Sequence, residues 1–231
     1  MKKQWQRLTD SLIGKKEYFY IDPSVYSFFK AIRCCIDKFA KGRILDAGAG
    51  RLAFKFIFTA RSADYITLDK YVARGELDIV GDLNSPPLKG SQFDTILCLQ
   101  VIEHTPTPQA VIKNLAALLK DGGVLVLSAP HLAYLHGEPQ DYYRFTKHSL
   151  VYLVEQCGLK VLEIHPAGSI FGFLFTPISD FMLSYAYPVP IIFGTLFFIN
   201  SLCIRLISLI DGLIFRNSLM PVNYVLAAQK R

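Results

Sequence analysis

The segment Gly42–Leu52, GRILDAGAGRL, places an acidic residue and two glycines directly after an apolar run. The run predicts a β-strand, and the apolar residues beyond the glycines predict the start of a helix. Gly48 and Gly50 permit backbone torsions and a close approach that a side chain would prevent, so a flat cofactor fits on the turn. Asp46 ends the strand, where we expect it to order that turn.

Polar residues also follow other predicted strands. Asp69 ends the run YITLD, Asp82 follows a strand predicted to end near Val80, and Gln100 ends the run FDTILCLQ. Sheets of parallel strands bind ligands beyond the carboxyl ends of those strands. Side chains that converge on that edge predict a cofactor site, and the alternative is a plain α/β domain.

These motifs carry a family resemblance. The D-x-G-x-G pattern, together with IVGDLNSPPLKGSQFDTILCLQVIEHT and LLKDGGVLVLSAP, resembles the class I methyltransferases that use S-adenosylmethionine, in their type 11-like, small-molecule branch. The resemblance covers Gly42 to Gly168 and returns at the C-terminus. It implies S-adenosylmethionine as the cofactor, and it implies roles in binding it for Asp46, Gly48, Gly50, Asp69 at the ribose diol, Asp82 at the adenine amino group, Leu83 beside the ring and Gln100 at the methionine end.

A nicotinamide dinucleotide site is the competing interpretation of the glycine turn. An acidic residue about 20 residues beyond such a turn also marks NAD sites, and Asp69 satisfies that rule. However, the dinucleotide pattern has no counterpart of the GDL and VIEHT segments. These differences favour the methyltransferase interpretation.

The elements that position these residues alternate along the chain. Apolar runs at 43–46, 65–68, 95–99 and 124–128 are separated by helix-like segments, which indicates a parallel sheet covered on both faces. The resemblance implies a Rossmann-like α/β fold whose seven-stranded sheet is mostly parallel, with an antiparallel last strand. We predict a basic helical segment at 1–41, the cofactor-binding core at 42–168, an apolar insertion at 169–220 and a closing strand at 221–231.

The segment PHLAYLHGEPQDYYRFTKHSL follows the fifth predicted strand and is dense in reactive side chains. Its EPQDYYRFT pattern is similar to that of bacterial family members from surface-polysaccharide and lipid pathways. Methyl transfer to oxygen benefits from a base with a pKa near neutral, so His131 or His136 is the candidate base. Asp141 and Arg144 are expected to orient the loop and the substrate, or to form a structural ion pair. His104, in VIEHT, either caps the next helix or lines the pocket.

Charge and cysteine content limit the remaining classes. The first 41 residues hold nine Lys or Arg against four acidic residues, most of the net charge of +6. This basic segment suits anionic lipid or a solvated helix that caps the cofactor site, and no nucleic-acid module accompanies it. The five cysteines show neither a disulfide framework nor metal-site spacing, so we predict reduced cysteines, no metal site and a cytoplasmic protein without a signal peptide.

The last two predicted strands are separated by about fifty residues, far more than a hairpin loop needs. This insertion, Ser169–Met220, carries no charged residue between Phe181 and Ile204. Pro188 and Pro190 divide it into two predicted helices, one ending before Tyr187 and one covering 189–215. A polar stripe follows the second helix at Ser201, Arg205, Ser208, Asp211 and Gly212.

Both strands that flank the insertion must return to the same sheet, so a single membrane crossing is excluded. A helical hairpin in the cytoplasmic leaflet fits, whereas a pair of short crossings is opposed by Asp180 in the first span. The alternative is an apolar cap, buried on the domain or in a homodimer.

Three functions remain open from the sequence. The leading one is a methyltransferase for a lipid, polyisoprenoid or lipid-linked sugar, peripheral or monotopic on the cytoplasmic membrane. The second is a methyltransferase for a soluble small molecule whose insertion forms a dimer. The third is a scaffold protein that keeps the fold without catalysis.

Overall fold

The computed structural model describes residues 2–59, 64–72, 77–214 and 220–231. These residues form two compact units, each described here by itself. The sheet unit comprises the described residues of 32–165 and 224–231, and the hairpin unit comprises those of 1–31 and 166–223. The described residues of 1–31 and the insertion therefore belong to the same unit, whereas residues 32–41 of the predicted N-terminal segment belong to the sheet unit.

The elements follow one another in the order expected of an α/β chain. They are α1 (Lys2–Leu12), a 3₁₀ segment (Lys16–Tyr20), α2 (Pro23–Phe39), β1 (Ile44–Ala47), α3 (Lys55–Thr59), β2 (Tyr65–Asp69), β3 (Ile79–Val80), β4 (Phe93–Leu99), a 3₁₀ segment (Ile102–His104), α4 (Pro108–Leu118), β5 (Leu119–Pro130), α5 (Lys147–Gln156), β6 (Leu159–Ala167), α6 (Ile170–Ala186), α7 (Pro190–Ile214) and β7 (Asn223–Lys230).

The seven strands form one sheet in the order β3-β2-β1-β4-β5-β7-β6. The first five strands pair in parallel. Near the end of β7, Gln229 Nε2 donates to the Gly122 carbonyl at the start of β5, 2.9 Å away. At its beginning, the Val222 amide donates to the Ala167 carbonyl at the end of β6, 3.0 Å away. These contacts make β7 antiparallel to both neighbours, and the mostly parallel seven-stranded sheet is confirmed.

The core of the sheet unit follows from the apolar runs in its central strands. Leu45, Ile96, Leu125 and Leu127 are fully buried. Because strands covered on both faces need apolar side chains on both, β1, β4 and β5 read as continuous apolar runs instead of alternating ones. The strand order reverses between β1 and β4, and the loops after these two strands lie side by side at the point where such sheets bind ligands.

The hairpin unit contains the two predicted apolar helices. Ser169 caps α6, because its side chain accepts from the Phe171 and Gly172 amides at 3.2 and 3.4 Å. α7 begins at Pro190, where a missing amide hydrogen does no harm. The end predicted for this helix at Phe215 lies outside the described residues.

Polar groups lie between the helices and the N-terminal segment of the same unit. Ser179 of α6 donates to Asn200 Oδ1 on α7 at 2.8 Å, and Asn200 Nδ2 donates to the Ile21 carbonyl at 3.0 Å. The predicted stripe on α7 also contacts this segment, since Lys30 Nζ donates to the Ser208 hydroxyl at 3.1 Å. These contacts pair polar side chains of α6 and α7 within the unit, whereas the buried Ser184 hydroxyl and Asp180 Oδ1 have no hydrogen-bond partner among the described residues.

Candidate functional site

The loop after β1 is held tightly against neighbouring backbone. The Gly48 and Ala49 amides both donate to the Leu68 carbonyl, at 2.8 and 3.1 Å. Gly48 has a φ of +81°, and a Cβ atom added there would lie 2.4 Å from Cγ2 of Val101, in the loop after β4. Glycine is required at this position by conformation and by the close approach of the second loop.

Asp69, at the end of β2, orders this loop. Its Oδ2 accepts from the Gly50 amide at 2.8 Å, and its Oδ1 accepts from the Tyr71 amide at 2.9 Å. A carboxylate has about four acceptor positions, so each oxygen keeps capacity for a ligand hydroxyl. The side chain is partly exposed, as a ligand contact requires.

Asp46 does not contact the glycine turn in the way that the sequence predicted. The sequence assigned the ordering of the turn to Asp46, but the structure gives that role to Asp69. Asp46 is buried and accepts a hydrogen bond from the Tyr65 hydroxyl. Burial raises the pKa of Asp46 to about 6, against the opposing effect of the Tyr65 hydrogen bond. Its part in cofactor binding stays a prediction.

Asp82 lies beyond β3 as an ionised acceptor. Its Oδ1 accepts from the Asn84 amide at 2.9 Å, and Lys70 Nζ lies 3.0 Å from its Oδ2. These contacts lower the pKa of Asp82. The neighbouring Leu83 packs into the apolar core and is only 8% exposed, so a small part of its side chain is left for contact with a ring.

Gln100 adopts a left-handed backbone conformation, with a φ of +57°. Its amide and its Nε2 both lie near the Ser128 hydroxyl, at 3.0 and 3.2 Å. A non-glycine residue at positive φ carries strain on the order of 1 kcal/mol, and such residues concentrate at functional sites. Gln100 is therefore fixed at the end of β4 by contacts with β5.

These residues fit the nucleoside part of S-adenosylmethionine. Ribose hydroxyls and an adenine amino group are donors, and Asp69 and Asp82 offer partly exposed carboxylate acceptors. A Cβ added at Gly50 would meet nothing nearer than the Gly48 carbonyl at 3.9 Å, so the turn has open space on that side. The donor and acceptor chemistry matches, and each individual role stays a prediction.

The loop after β5 is organised by Asp141 and Arg144. Their side chains form a bidentate pair, with Nη1 to Oδ1 at 2.7 Å and Nη2 to Oδ2 at 2.8 Å. Arg144 also donates to the Ala133 and Tyr134 carbonyls, and the guanidinium holds the pKa of Asp141 well below its usual range. This geometry favours the positioning role, in which the pair fixes the loop, over direct contact with reacting atoms.

The ring of His131 is oriented by a backbone contact, and its role as a base stays a prediction. Its Nδ1 lies 3.0 Å from the Phe145 carbonyl, which only accepts hydrogen bonds. Nδ1 therefore carries the hydrogen, and the neutral ring keeps a lone pair on Nε2. The half-buried ring lies 5.6 Å from that of Tyr224.

Glu103 is the residue that the sequence did not single out. It is fully buried, and neither carboxylate oxygen has a hydrogen-bond partner among the described residues. His104 and His136 lie beside it, with each Nε2 at 3.9 Å from Glu103 Oε1. The carboxylate raises the pKa of His136. The sequence signal for this cluster was an acidic residue next to a histidine in VIEHT. The third member, His136, is distant in sequence, so the signal was incomplete.

Comparison with known proteins gives a family. Residues 26–164, more than half of the chain, match the family described as a methyltransferase domain. The ubiquinone biosynthesis O-methyltransferase of Coxiella burnetii is 37% identical over 90 residues, covering 32% of this chain and 38% of that protein. The corresponding protein of Idiomarina loihiensis is 28% identical over 111 residues, covering 41% and 43%. The chain thus spans less than half the length of these curated relatives.

Solved structures show the fold alone, because their sequence identity is low. The cyclase SpnF gives a TM-score of 0.61 at 13% identity, covering 89% of this chain and 80% of that one. An S-adenosylmethionine-dependent methyltransferase from Archaeoglobus fulgidus gives 0.57 at 16% identity, covering 90% and 95%. The architecture is that of the Rossmann-like class I methyltransferases, as the sequence predicted.

Proposed function

The chain belongs to the methyltransferase-domain family, and we propose from this premise that it transfers a methyl group from S-adenosylmethionine to an oxygen of a lipid, polyisoprenoid or lipid-linked sugar at the cytoplasmic membrane surface. The single observation that carries the acceptor class is the exposed apolar surface of α6 and α7. The oxygen acceptor is supported by the relatives named O-methyltransferases.

The cofactor supplies an electrophilic methyl group on a sulfonium, and the chain supplies binding and alignment. Asp69 binds the ribose hydroxyls, Asp82 the adenine amino group, and Gln100 the methionine end. The Gly48 to Gly50 turn gives the cofactor close access to the backbone. These assignments are supported by the partly exposed carboxylates at the strand ends.

His131 takes the proton of the acceptor hydroxyl in this proposal. Its hydrogen bond to the Phe145 carbonyl leaves the lone pair on Nε2, which is what a general base requires. Asp141 and Arg144 keep the surrounding loop in place through their bidentate pair. Replacement of His131 by Asn is expected to lower kcat with little change in cofactor affinity.

Membrane association is supported by the large apolar side chains that α6 and α7 leave exposed. A row of large apolar side chains on α7, at helical spacing, is exposed by half or more: Phe198, Leu202, Leu206, Leu209 and Leu213. Ser179 and Asn200, in contrast, are buried. By length and composition, the helical segment Pro190–Leu213 is long and apolar enough to cross a bilayer. Only 11% of an apolar 18-residue stretch within it is buried. Contiguous apolar surface of this kind marks interaction sites.

Basic residues accompany the apolar surface. A cavity of about 270 Å³ in the hairpin unit is lined by Lys16 and Arg205 together with Phe197, Phe198 and Leu202. Cations beside apolar side chains suit an anionic lipid surface, where each contributes about 1 kcal/mol to binding. Glu17 also lines the cavity.

The first experiment follows the methyl group. The purified protein is incubated with S-adenosylmethionine that carries a labelled methyl, together with separated membrane and soluble extracts. Label in the organic-extractable membrane fraction supports the proposal, and its loss in His131→Asn at unchanged cofactor affinity supports the base. Label confined to the soluble fraction contradicts the lipid acceptor, and cofactor binding without transfer to either fraction favours a scaffold.

A second experiment tests the apolar surface directly. Flotation with vesicles containing anionic phospholipid compares the native chain with a variant carrying Leu206→Lys, Leu209→Lys and Leu213→Lys. Tyr152→Lys, at an exposed aromatic residue of the sheet unit, is the matched control. The triple variant is expected to lose flotation while the control keeps it. If the triple variant still floats with the vesicles but a dimer of the native chain dissociates, the surface serves self-association instead.

A further inference from the structure

Three side chains from two loops meet beside the candidate site. Glu103 and His104 belong to the segment after β4, and His136 belongs to the loop after β5. One ligand atom from each lies within 4.8 Å of the others. Both Nε2 atoms lie 3.9 Å from Glu103 Oε1, too far for a hydrogen bond but close enough for both atoms to bind one ion at about 2.1 Å.

Backbone carbonyls determine what the two imidazoles present to Glu103. His104 Nδ1 lies 2.6 Å from the Gln140 carbonyl, and His136 Nδ1 lies 3.0 Å from the Tyr134 carbonyl. Since a carbonyl only accepts, each Nδ1 carries a hydrogen, and the Nε2 atom of each ring lies on the side of the carboxylate. Arg144 Nη2 also lies 3.5 Å from His136 Nδ1, at the limit of a contact.

Three acceptor groups that face one another favour a cation between them. Glu103 is fully buried with both oxygens unpartnered among the described residues, which is costly unless a ligand satisfies them. Histidines that bind metals typically donate the other ring N–H to a backbone carbonyl, as both rings are placed to do here. We propose that Glu103, His104 and His136 bind a divalent transition-metal ion through one carboxylate oxygen and two Nε2 atoms.

The surrounding chain supports this arrangement. The Tyr142 amide donates to the Glu103 carbonyl at 2.9 Å, and Asp141 Oδ2 accepts from the His136 amide at 2.9 Å. Gly137 has a φ of +67°, and a Cβ there would lie 2.7 Å from His104 Cε1, so only glycine lets the loop approach this closely.

Two imidazoles and one carboxylate are the protein ligands of open zinc sites and of related sites for Fe²⁺. Three protein ligands leave at least one coordination position for an oxygen ligand. If the proposed function holds, an acceptor hydroxyl is the natural occupant of that position. The ion-binding proposal itself does not require methyl transfer.

The competing arrangement has no ion, with a protonated His136 paired to Glu103. Calorimetric titration of the chelator-treated full chain with Zn²⁺, in a buffer with a weak competing chelator, separates the two. Glu103→Gln and His136→Gln remove one ligand each, and His148→Gln, at an exposed histidine of α5, is the control. The partly exposed His136 position keeps the test valid if Glu103→Gln does not fold.

We expect one Zn²⁺ per chain for the native protein and for His148→Gln, with affinity at least about tenfold lower in the two ligand variants. Equal affinity in all four proteins, or no stoichiometric binding by the native chain, would overturn the proposal. S-adenosylmethionine binding is measured on the same samples. Metal binding without cofactor binding would contradict the proposed function alone, and cofactor binding without metal binding would contradict this inference alone.

Discussion

The sheet unit and the hairpin unit differ in how many large apolar side chains they leave exposed. In the sheet unit, Leu226 of β7 and Leu127 of β5 are fully buried, whereas Leu209 and Leu213 of the hairpin unit are 66% and 83% exposed. The hairpin unit buries Asn200 and Ser179 against each other. The hairpin unit therefore carries exposed apolar surface on α6 and α7, and contiguous surface of this kind marks interaction sites.

The largest effect expected from this contrast concerns lysine substitutions. Leu226→Lys places an unpaired charge in β7 between two strands, which costs several kcal/mol and approaches the whole stability of a domain. We expect no cooperative thermal transition for Leu226→Lys, followed by circular dichroism. Leu209→Lys, the hairpin counterpart, should unfold within about 2 °C of the native chain because the residue is exposed. Equal losses at both positions would show that α7 is packed against protein.

A second test adds a side chain to a crowded glycine of the sheet unit. Gly48→Val collides with Val101 and should weaken S-adenosylmethionine binding by about 100-fold or more, measured by calorimetry. Gly158→Val is the matched control, because Gly158 has the same φ of +81° but no heavy atom within 4 Å of an added Cβ. Similar affinity for S-adenosylmethionine in both variants would contradict the placement of the cofactor at this turn.

The pH dependence of stability tests the buried carboxylate of the sheet unit. Burial raises the pKa of Asp46 to about 6, above the value of about 3.9 in an unfolded chain. Between about pH 4 and 6, the folded state holds a proton that the unfolded state has released, so stability falls as the pH rises through this window. We expect Asp46→Asn to remove up to about 3 kcal/mol of that fall.

The measurement is urea unfolding at several pH values from 4 to 7. Asp22 of the hairpin unit, whose pKa burial also raises to about 6, contributes in the same direction and stays unchanged in this variant. An Asp46→Asn curve parallel to the native one would mean that Asp46 is ionised in the folded chain throughout.

The smallest expected effect compares two glycines replaced by alanine. Gly194 lies in α7 with no heavy atom within 4 Å of an added Cβ, so Gly194→Ala should stabilise the chain by about 0.5–1 kcal/mol through helix propensity. A Cβ at Gly123 of β5 would lie 2.8 Å from the Lys120 carbonyl, so Gly123→Ala should destabilise it. Opposite shifts in thermal midpoint support the contrast between the units, and a loss at Gly194 would indicate a hidden contact on α7.

The sequence predicted the strands well because their signal is local. Buried parallel strands are short apolar runs, so Phe93–Leu99 and Tyr65–Asp69 were found with end differences of two residues or fewer. The positions of Asp69 and Gln100 followed, since a residue that ends a strand lies at the edge of the sheet. The match of residues 26–164 to the methyltransferase domain confirms the family, and the strand order confirms the fold.

Contacts between distant segments were beyond the sequence. Nothing near Asp46 in the chain indicates that Tyr65 will donate to it, and nothing in VIEHT indicates that His136 will lie beside Glu103. The sequence also did not predict that the N-terminal residues and the insertion form one unit. An amphipathic or apolar pattern shows that a helix has an apolar face, but it does not show which segment packs against that face.

The position of β7 has a consequence for how the chain is made. β7 lies between β5 and β6 in the sheet, yet it follows α6 and α7 in the chain. A ribosome therefore releases both apolar helices while β5 and β6 still have unpaired edges, which are prone to aggregation. If the proposed membrane association holds, docking of the nascent helices on a lipid surface would cover their apolar faces before the sheet closes, and the folding intermediate would be protected from aggregation.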